Sequence, residues 1–235
     1  MLKVMWINFK YLTNKVVLIV LGISIALIVL YLVINTNFIA SHNMKIMYRY
    51  EYYNLYKNNG FNFIQTIFSF LSVFLAMMIN KNYDIYIIKR INRKTAVLGR
   101  YCSVYFLILI MLFPIYSLFI LIPNIFMPFF QIYGYFIINF LIIYLTSIIL
   151  ASMTLLVIEI TNNAFSGFLI IVLFWMMKLI YGNVIGGYYH LFPLPLTKNN
   201  SDKMFFYNGT IWPIILFVII NGISVHYYCE KNIKK

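Results

Sequence analysis

Residues 135–158 read YFIINFLIIYLTSIILASMTLLVI, 24 consecutive positions without a charge. A helix crosses the hydrocarbon core of a bilayer with about 20 predominantly apolar residues, so this stretch is long enough to span. It is too long for a strand or an ordinary buried core helix, which makes a membrane protein the first reading of the chain. The whole sequence agrees. Of its 235 residues, 63% are apolar and 10% charged, against about 25% charged in a soluble domain. That deficit excludes an ordinary soluble enzyme, and the hydrophobicity excludes a disordered chain.

Working outward, five further segments have the same character, at roughly 16–35, 62–80, 101–122, 164–181 and 211–228. The spacing predicts an all-α integral membrane protein of six transmembrane helices, organised as one domain over 1–235. Basic residues set the orientation. With the N-terminus inside, twelve of the 18 Lys and Arg fall on the cytoplasmic side, five fall outside and Lys178 falls within a span. Excess positive charge marks the cytoplasmic face, so both termini are expected inside a cell membrane. The net charge of +13 is then a topology signal, and no nucleic-acid partner is expected. Cys102 and Cys229 fall at cytoplasmic helix ends, where thiols stay reduced.

The first apolar segment is too long for the core of a cleaved signal peptide, and no small-residue cleavage site follows it. Before it, Leu2, Met5, Phe9, Leu12 and Val16 recur at helical spacing among Lys3, Lys10 and Lys15. That pattern suits an amphipathic helix on the inner leaflet or the charged flank of the first span. The cytoplasmic pieces sum to roughly 47 residues, below the size at which an independent domain begins.

Chemistry-bearing motifs are few. There is no G-x-x-x-x-G-K-[ST] phosphate loop and no H-E-x-x-H pair, so neither nucleotide binding nor a zinc site is expected of this chain. His42, His190 and His226 are far apart. With no catalytic residue, no metal site and no cofactor foreseen, the chain is not expected to be an enzyme. Lys178 sits near the outer end of the fifth span, where it can snorkel to the headgroups or meet a helix or substrate. Glu159, at the inner end of the fourth, faces water or a basic partner.

Two features carry a functional reading. Gln65, Ser69, Ser72 and Ala76 fall on one face of the second span. In lipid such a face seeks another helix or lines a water-filled path. Small residues also recur at i, i+4 as Gly22/Ala26 and Ser147/Ala151, which permits close helix approach. The second feature is the segment 81–100, KNYDIYIIKRINRKTAVLGR, with six basic residues and one acid. A short helix here carries apolar and basic sides. It can lie on anionic lipid or dock into a cytoplasmic protein, with Ile87, Ile88 and Ile91 as anchors and Lys89, Arg90 and Arg93 at the rim.

An acid followed by a short helix, an Arg about nine residues on and a basic residue opening the next span resembles the coupling helix of ABC-2 type transporter permeases. Asp84, Arg93 and Arg100 stand in those places, with Asp84 where that family often has Glu. The resemblance covers nearly the whole chain as architecture. It implies an N-terminal amphipathic helix, six spans, a cytoplasmic coupling helix between spans two and three, and an extracellular re-entrant segment between spans five and six, within Gly182–Gly209. It further implies an exporter subunit driven by a separate ABC ATPase, which holds ATP and Mg, and paired with a second copy or a related permease. The coupling residues would be Asp84, Ile87, Ile88, Lys89, Arg90, Ile91 and Arg93, and Gln65, Ser69 and Ser72 would lie on the translocation path. Peptides, bacteriocins and antibiotics are frequent cargo of short permeases of this kind, and polysaccharide, lipid and sodium export are other roles of the family. Rival classes are a secondary transporter or channel, for which Pro114 is a single helix-break signal, and a non-transporting membrane immunity or sensor protein.

Overall fold

The structure is a computed structural model, and it describes residues 15–41, 46–78, 93–126, 135–184 and 203–230. Every regular element among the described residues is helical. The α-helices are α1 (Lys15–Ser41), α2 (Ile46–Met77), α3 (Arg93–Phe126), α4 (Tyr135–Thr161), α5 (Gly167–Val184) and α6 (Lys203–Glu230), with one 3-10 turn at Ala164–Ser166. Helix is the expected solution where lipid replaces water, because it satisfies backbone N–H and C=O groups within the segment itself.

Among the described residues, three helical stretches are long and apolar enough to cross a membrane: Gly60–Met77, Lys94–Leu121 and Phe136–Thr161. Three shorter apolar stretches lie at Leu18–Tyr31, Ala164–Met176 and Pro213–Tyr227. The burial pattern is inverted relative to a soluble protein. Gln65, Ser72, Asn139, Thr146, Ser147, Ser152 and Thr154 are buried, while Leu18, Ile23, Phe113, Ile137, Leu169 and Ile219 are exposed. In water so many exposed large apolar side chains would be a liability. In lipid the exposed apolar surface costs nothing, and the polar side chains gain by turning inward.

Helix α4 occupies the centre and packs against α2, α3, α5 and α6, while α1 lies against α2 and α3. The larger core cluster joins Phe61, Phe68 and Leu75 of α2 to Val104, Ile108, Leu112 and Phe119 of α3 and to Phe136, Ile143 and Leu155 of α4. A second cluster joins Ile149 and Leu150 of α4 to Ile170 and Phe174 of α5 and Ile220 of α6.

Several boundaries differ from the sequence reading. Helix α2 begins at Ile46, so most of the expected outer loop at 36–61 is helical. Asn58, Asn59 and Gly60 are weak helix formers but not breakers, and the helix continues through them. Gly60 is favoured where it stands, since a Cβ there would run into the ring of the buried Phe119. Helix α3 begins at Arg93 and runs through Pro114 without interruption. The expected outer segment at 182–210 is helical at both ends, to Val184 in α5 and from Lys203 in α6. The N-terminal amphipathic segment, the coupling residues Asp84 to Ile91 and the centre of the re-entrant segment lie outside the described residues.

The turn between α4 and α5 is compact. Asn162 adopts a left-handed conformation, φ 56°, which Asn tolerates and which commonly ends a helix. The Asn163 side chain then caps the 3-10 turn by accepting from the Phe165 N–H at 3.0 Å. Gly167 follows, where a Cβ would meet Met77 at 2.7 Å and Thr154 at 2.8 Å. The ends of α2 and α4 and the start of α5 therefore converge at one end of the bundle.

Candidate functional site

At that same end, Arg100 on α3 donates from Nη1 to Oε1 of Glu159 on α4 at 2.9 Å. The two side chains are 4% and 2% exposed. Arg100 lies two turns into α3, and Glu159 lies in the last turn of α4. A charge near the centre of a span costs about 2.5–3.5 kcal/mol on the insertion scale, so opposite charges at one depth are expected to pair. Tyr101 is also buried. Its hydroxyl makes no hydrogen bond of ordinary geometry, and Glu159, Ser224 of α6 and Arg100 are the polar groups around it.

One turn further along α3 the polar contacts continue. The Tyr105 hydroxyl lies 2.5 Å from Ser152 Oγ of α4 and donates to Asn221 Oδ1 of α6 at 2.7 Å. Asn221 Nδ2 donates to the Phe217 carbonyl at 2.8 Å, and the Tyr144 hydroxyl donates to the Tyr105 carbonyl at 3.3 Å. Residues 100, 101 and 105 thus form a polar seam on α3, matched by Glu159 and Ser152 on α4 and Ser224 and Asn221 on α6. Immediately beyond Tyr105 the buried face of α3 is apolar, with Ile108 and Leu112, up to Tyr116, whose hydroxyl donates to the Phe136 carbonyl at 2.6 Å.

The other polar face lies on α2. Gln65, Ser69 and Ser72 are 1%, 2% and 0% exposed, and α2 packs that side against α4. Gln65 Nε2 donates to Thr146 Oγ1 at 3.2 Å. The Ser69 hydroxyl returns to the Gln65 carbonyl at 2.6 Å and that of Ser72 to the Ser69 carbonyl at 2.8 Å. In this conformation the face is packed against a helix. The small pair Ser147/Ala151 is buried as its spacing anticipates, whereas Gly22 has nothing within 4 Å of a Cβ position.

Of the coupling residues, Arg93 forms the first residue of α3, and Asp84, Ile87, Ile88, Lys89, Arg90 and Ile91 lie outside the described residues. The side chain of Lys178 also lies outside them, as do His42 and His190, while His226 is exposed on α6. Among the described residues no group of three potential metal ligands comes together.

Sequence reading left Glu159 between water and a basic partner and did not join it to Arg100. The signal was present. Arg100 precedes the third expected apolar segment and Glu159 follows the fourth, so an antiparallel pairing of those two segments brings them side by side at one end. The Tyr105–Ser152–Asn221 triad had no comparable signal, since Tyr and Asn are abundant throughout. Comparison with protein-family models, with curated proteins and with solved structures finds no match to this chain.

Proposed function

We propose that this chain is the membrane-spanning subunit of an ATP-driven exporter of the ABC-2 type, working with a separate ABC ATPase and a second permease copy. The observation that carries the reading is the ion pair that ties Arg100, the last residue of the basic 81–100 segment, to the end of the central helix α4. Work delivered to that segment by a partner would pass directly into α3 and α4. A subunit without nucleotide-binding motifs needs such a connection.

A six-span arrangement is supported by helix length. The three helices outside the long apolar set have 27, 18 and 28 residues. At about 1.5 Å per residue these measure roughly 40, 27 and 42 Å, against a hydrocarbon core of about 30 Å. In this reading both termini are cytoplasmic and the segment between α5 and α6 re-enters the membrane from outside. The cargo class is peptides, bacteriocins or antibiotics. Gln65, Ser69 and Ser72 would reach a path only after α2 and α4 separate, so the packed face corresponds to a closed state.

The buried Arg100–Glu159 pair favours a second reading, a secondary transporter that needs no ATPase, because ionisable residues inside spans commonly mark ion pathways. Co-purification separates the two. The exporter predicts recovery of an ABC ATPase with the intact chain, lost when Ile87, Ile88 and Ile91 are changed to Asp and modestly weakened by Arg90→Ala. Failure to recover any ATPase, with ion-dependent transport by the chain alone, would overturn it.

A further inference from the structure

We infer that the Arg100–Glu159 pair is a releasable latch, and that releasing it admits water into the polar seam between α3, α4 and α6. The inference does not depend on what the protein transports or on whether an ATPase drives it.

The first ground is energetic. A buried ion pair gives little net stability compared with an apolar pair of similar volume, because desolvation offsets the attraction. Its presence inside the bundle calls for another role. The second ground is position. The pair joins the second turn of α3 to the last turn of α4, so separation needs movement of helix ends only. The left-handed Asn162 and the 3-10 turn follow Glu159 directly, placing a change of chain direction where that end would swing.

The third ground is what lies behind the pair. Tyr101 and Ser224 come first, then the Tyr105–Ser152–Asn221 triad. Hydroxyl and amide groups can exchange each other for water at little cost, since bridging water is nearly as good a partner as a direct one. The seam then stops at Ile108 and Leu112, both closed. With the pair intact, the Tyr105–Ser152–Asn221 triad satisfies itself. Once the pair separates, its polar groups can be hydrated from that end to the depth of Tyr105 and no further.

Cys102 is a built-in reporter. It is half-buried and within electrostatic reach of Tyr105 and Tyr144. The thiolate is the reactive species, so a thiol in apolar surroundings labels slowly until water reaches it. The experiment uses the full chain in lipid vesicles, carrying Cys229→Ser, and measures the rate of N-ethylmaleimide labelling at Cys102. Glu159→Gln should raise the rate about tenfold, because Arg100 then loses its countercharge. The exchange Arg100→Glu with Glu159→Arg should return it to within about twofold of the parent. Should Glu159→Gln fail to fold, Arg100→Gln with Glu159→Gln leaves no stranded charge and should still label about threefold faster, since charge-assisted bonds are roughly twice as strong as neutral ones. A cysteine introduced at Ile108, with Cys102→Ser, should stay unreactive throughout. A parental rate in the neutral pair, a fast rate in the exchanged pair, or labelling at position 108 that rises in step with position 102 each overturns the latch.

Discussion

Arg100 and Glu159 are 59 residues apart in sequence and 2.9 Å apart in the fold. They are the two charged residues that the bundle buries among its described residues. Their meeting fixes the start of α3 against the end of α4 at a single depth. It also explains how a chain with five acidic residues accommodates one of them inside a span.

Removing one member should therefore cost far more than removing both. Arg100→Leu leaves the Glu159 carboxylate buried without its countercharge, and the expected loss is about 3–5 kcal/mol of stability. Arg100→Met combined with Glu159→Leu replaces charge with apolar volume and should be neutral or stabilising by about 1–4 kcal/mol. Unfolding of the purified chain in mixed micelles by denaturant measures both. Equal losses in the single and double variants would mean that the two side chains do not share one interaction.

Four of the described glycines divide into two groups with opposite expected behaviour. At Gly60 an added Cβ would run into the Phe119 ring, which is itself 1% exposed. Gly60→Ala should cost about 1–3 kcal/mol through overpacking. Gly167→Ala should cost less, because one of its neighbours is the flexible Met77 side chain. Gly22 and Gly222 have nothing within 4 Å. Alanine at either should be neutral or stabilising by up to about 1 kcal/mol through reduced backbone freedom. Thermal midpoints of the four single variants test the ranking, and a stabilising Gly60→Ala would contradict the close approach of α2 to α3.

Why the fold was more legible than the site follows from these same contacts. Length and apolarity report on the solvent, so the run at 135–158 announced α4, and each of the five other expected segments overlaps one described helix. Three stretches qualify as membrane spans by length and composition. Helix ends were less legible because Asn, Tyr and Lys neither break a helix nor extend an apolar run, and α2 passes through Lys57, Asn58 and Asn59 unmarked. Partner choice between helices was hidden altogether. The face carrying Gln65, Ser69 and Ser72 was visible as a face, but periodicity does not say whether a helix or a path lies opposite. Thr146, which accepts from Gln65, is one of several hydroxyls on α4.

That packing changes how the α2 face must be probed. Leucine at Ser69 or Ser72 has no space against α4, where both serines are essentially closed, and should cost about 1–3 kcal/mol each by overpacking. Loss of transport in such a variant would reflect misfolding. Alanine is the informative substitution, since each hydroxyl bonds only within its own helix in the contacts described. Ser69→Ala and Ser72→Ala should keep the parental stability within about 0.5 kcal/mol, the usual range for a change that disturbs no packing. Gln65→Leu should lose about 0.6 kcal/mol, the typical value of an interhelical hydrogen bond in a membrane protein. Impaired export with unchanged stability in the Ser-to-Ala pair would place the face on the path. Normal export would leave it as packing.

Topology gives the last prediction, and the structure alters its charge count. The positive-inside rule concerns basic residues that remain in aqueous flanks near span ends. Arg100 is closed off and paired, so it should not act as a flank charge, which leaves eleven inside against five outside from the sequence-based assignment. The bias survives. Arg100→Gln should therefore leave orientation unchanged, whatever it does to stability. In the sequence-based assignment Lys81, Lys89, Arg90, Arg93 and Lys94 carry the signal between the second and third expected spans. Changing all five to Asn should weaken or invert the orientation of the α2–α3 hairpin. Both effects can be read with a single cysteine at position 90 in a chain carrying Cys102→Ser and Cys229→Ser. For the parent and for Arg100→Gln, an impermeant maleimide should label that cysteine only after the membrane is opened. With the other four basic residues, Lys81, Lys89, Arg93 and Lys94, changed to Asn, a measurable fraction should label from outside. Outside labelling of the parent chain would refute a cytoplasmic 81–100 segment, and with it the route by which an ATPase could reach Arg100.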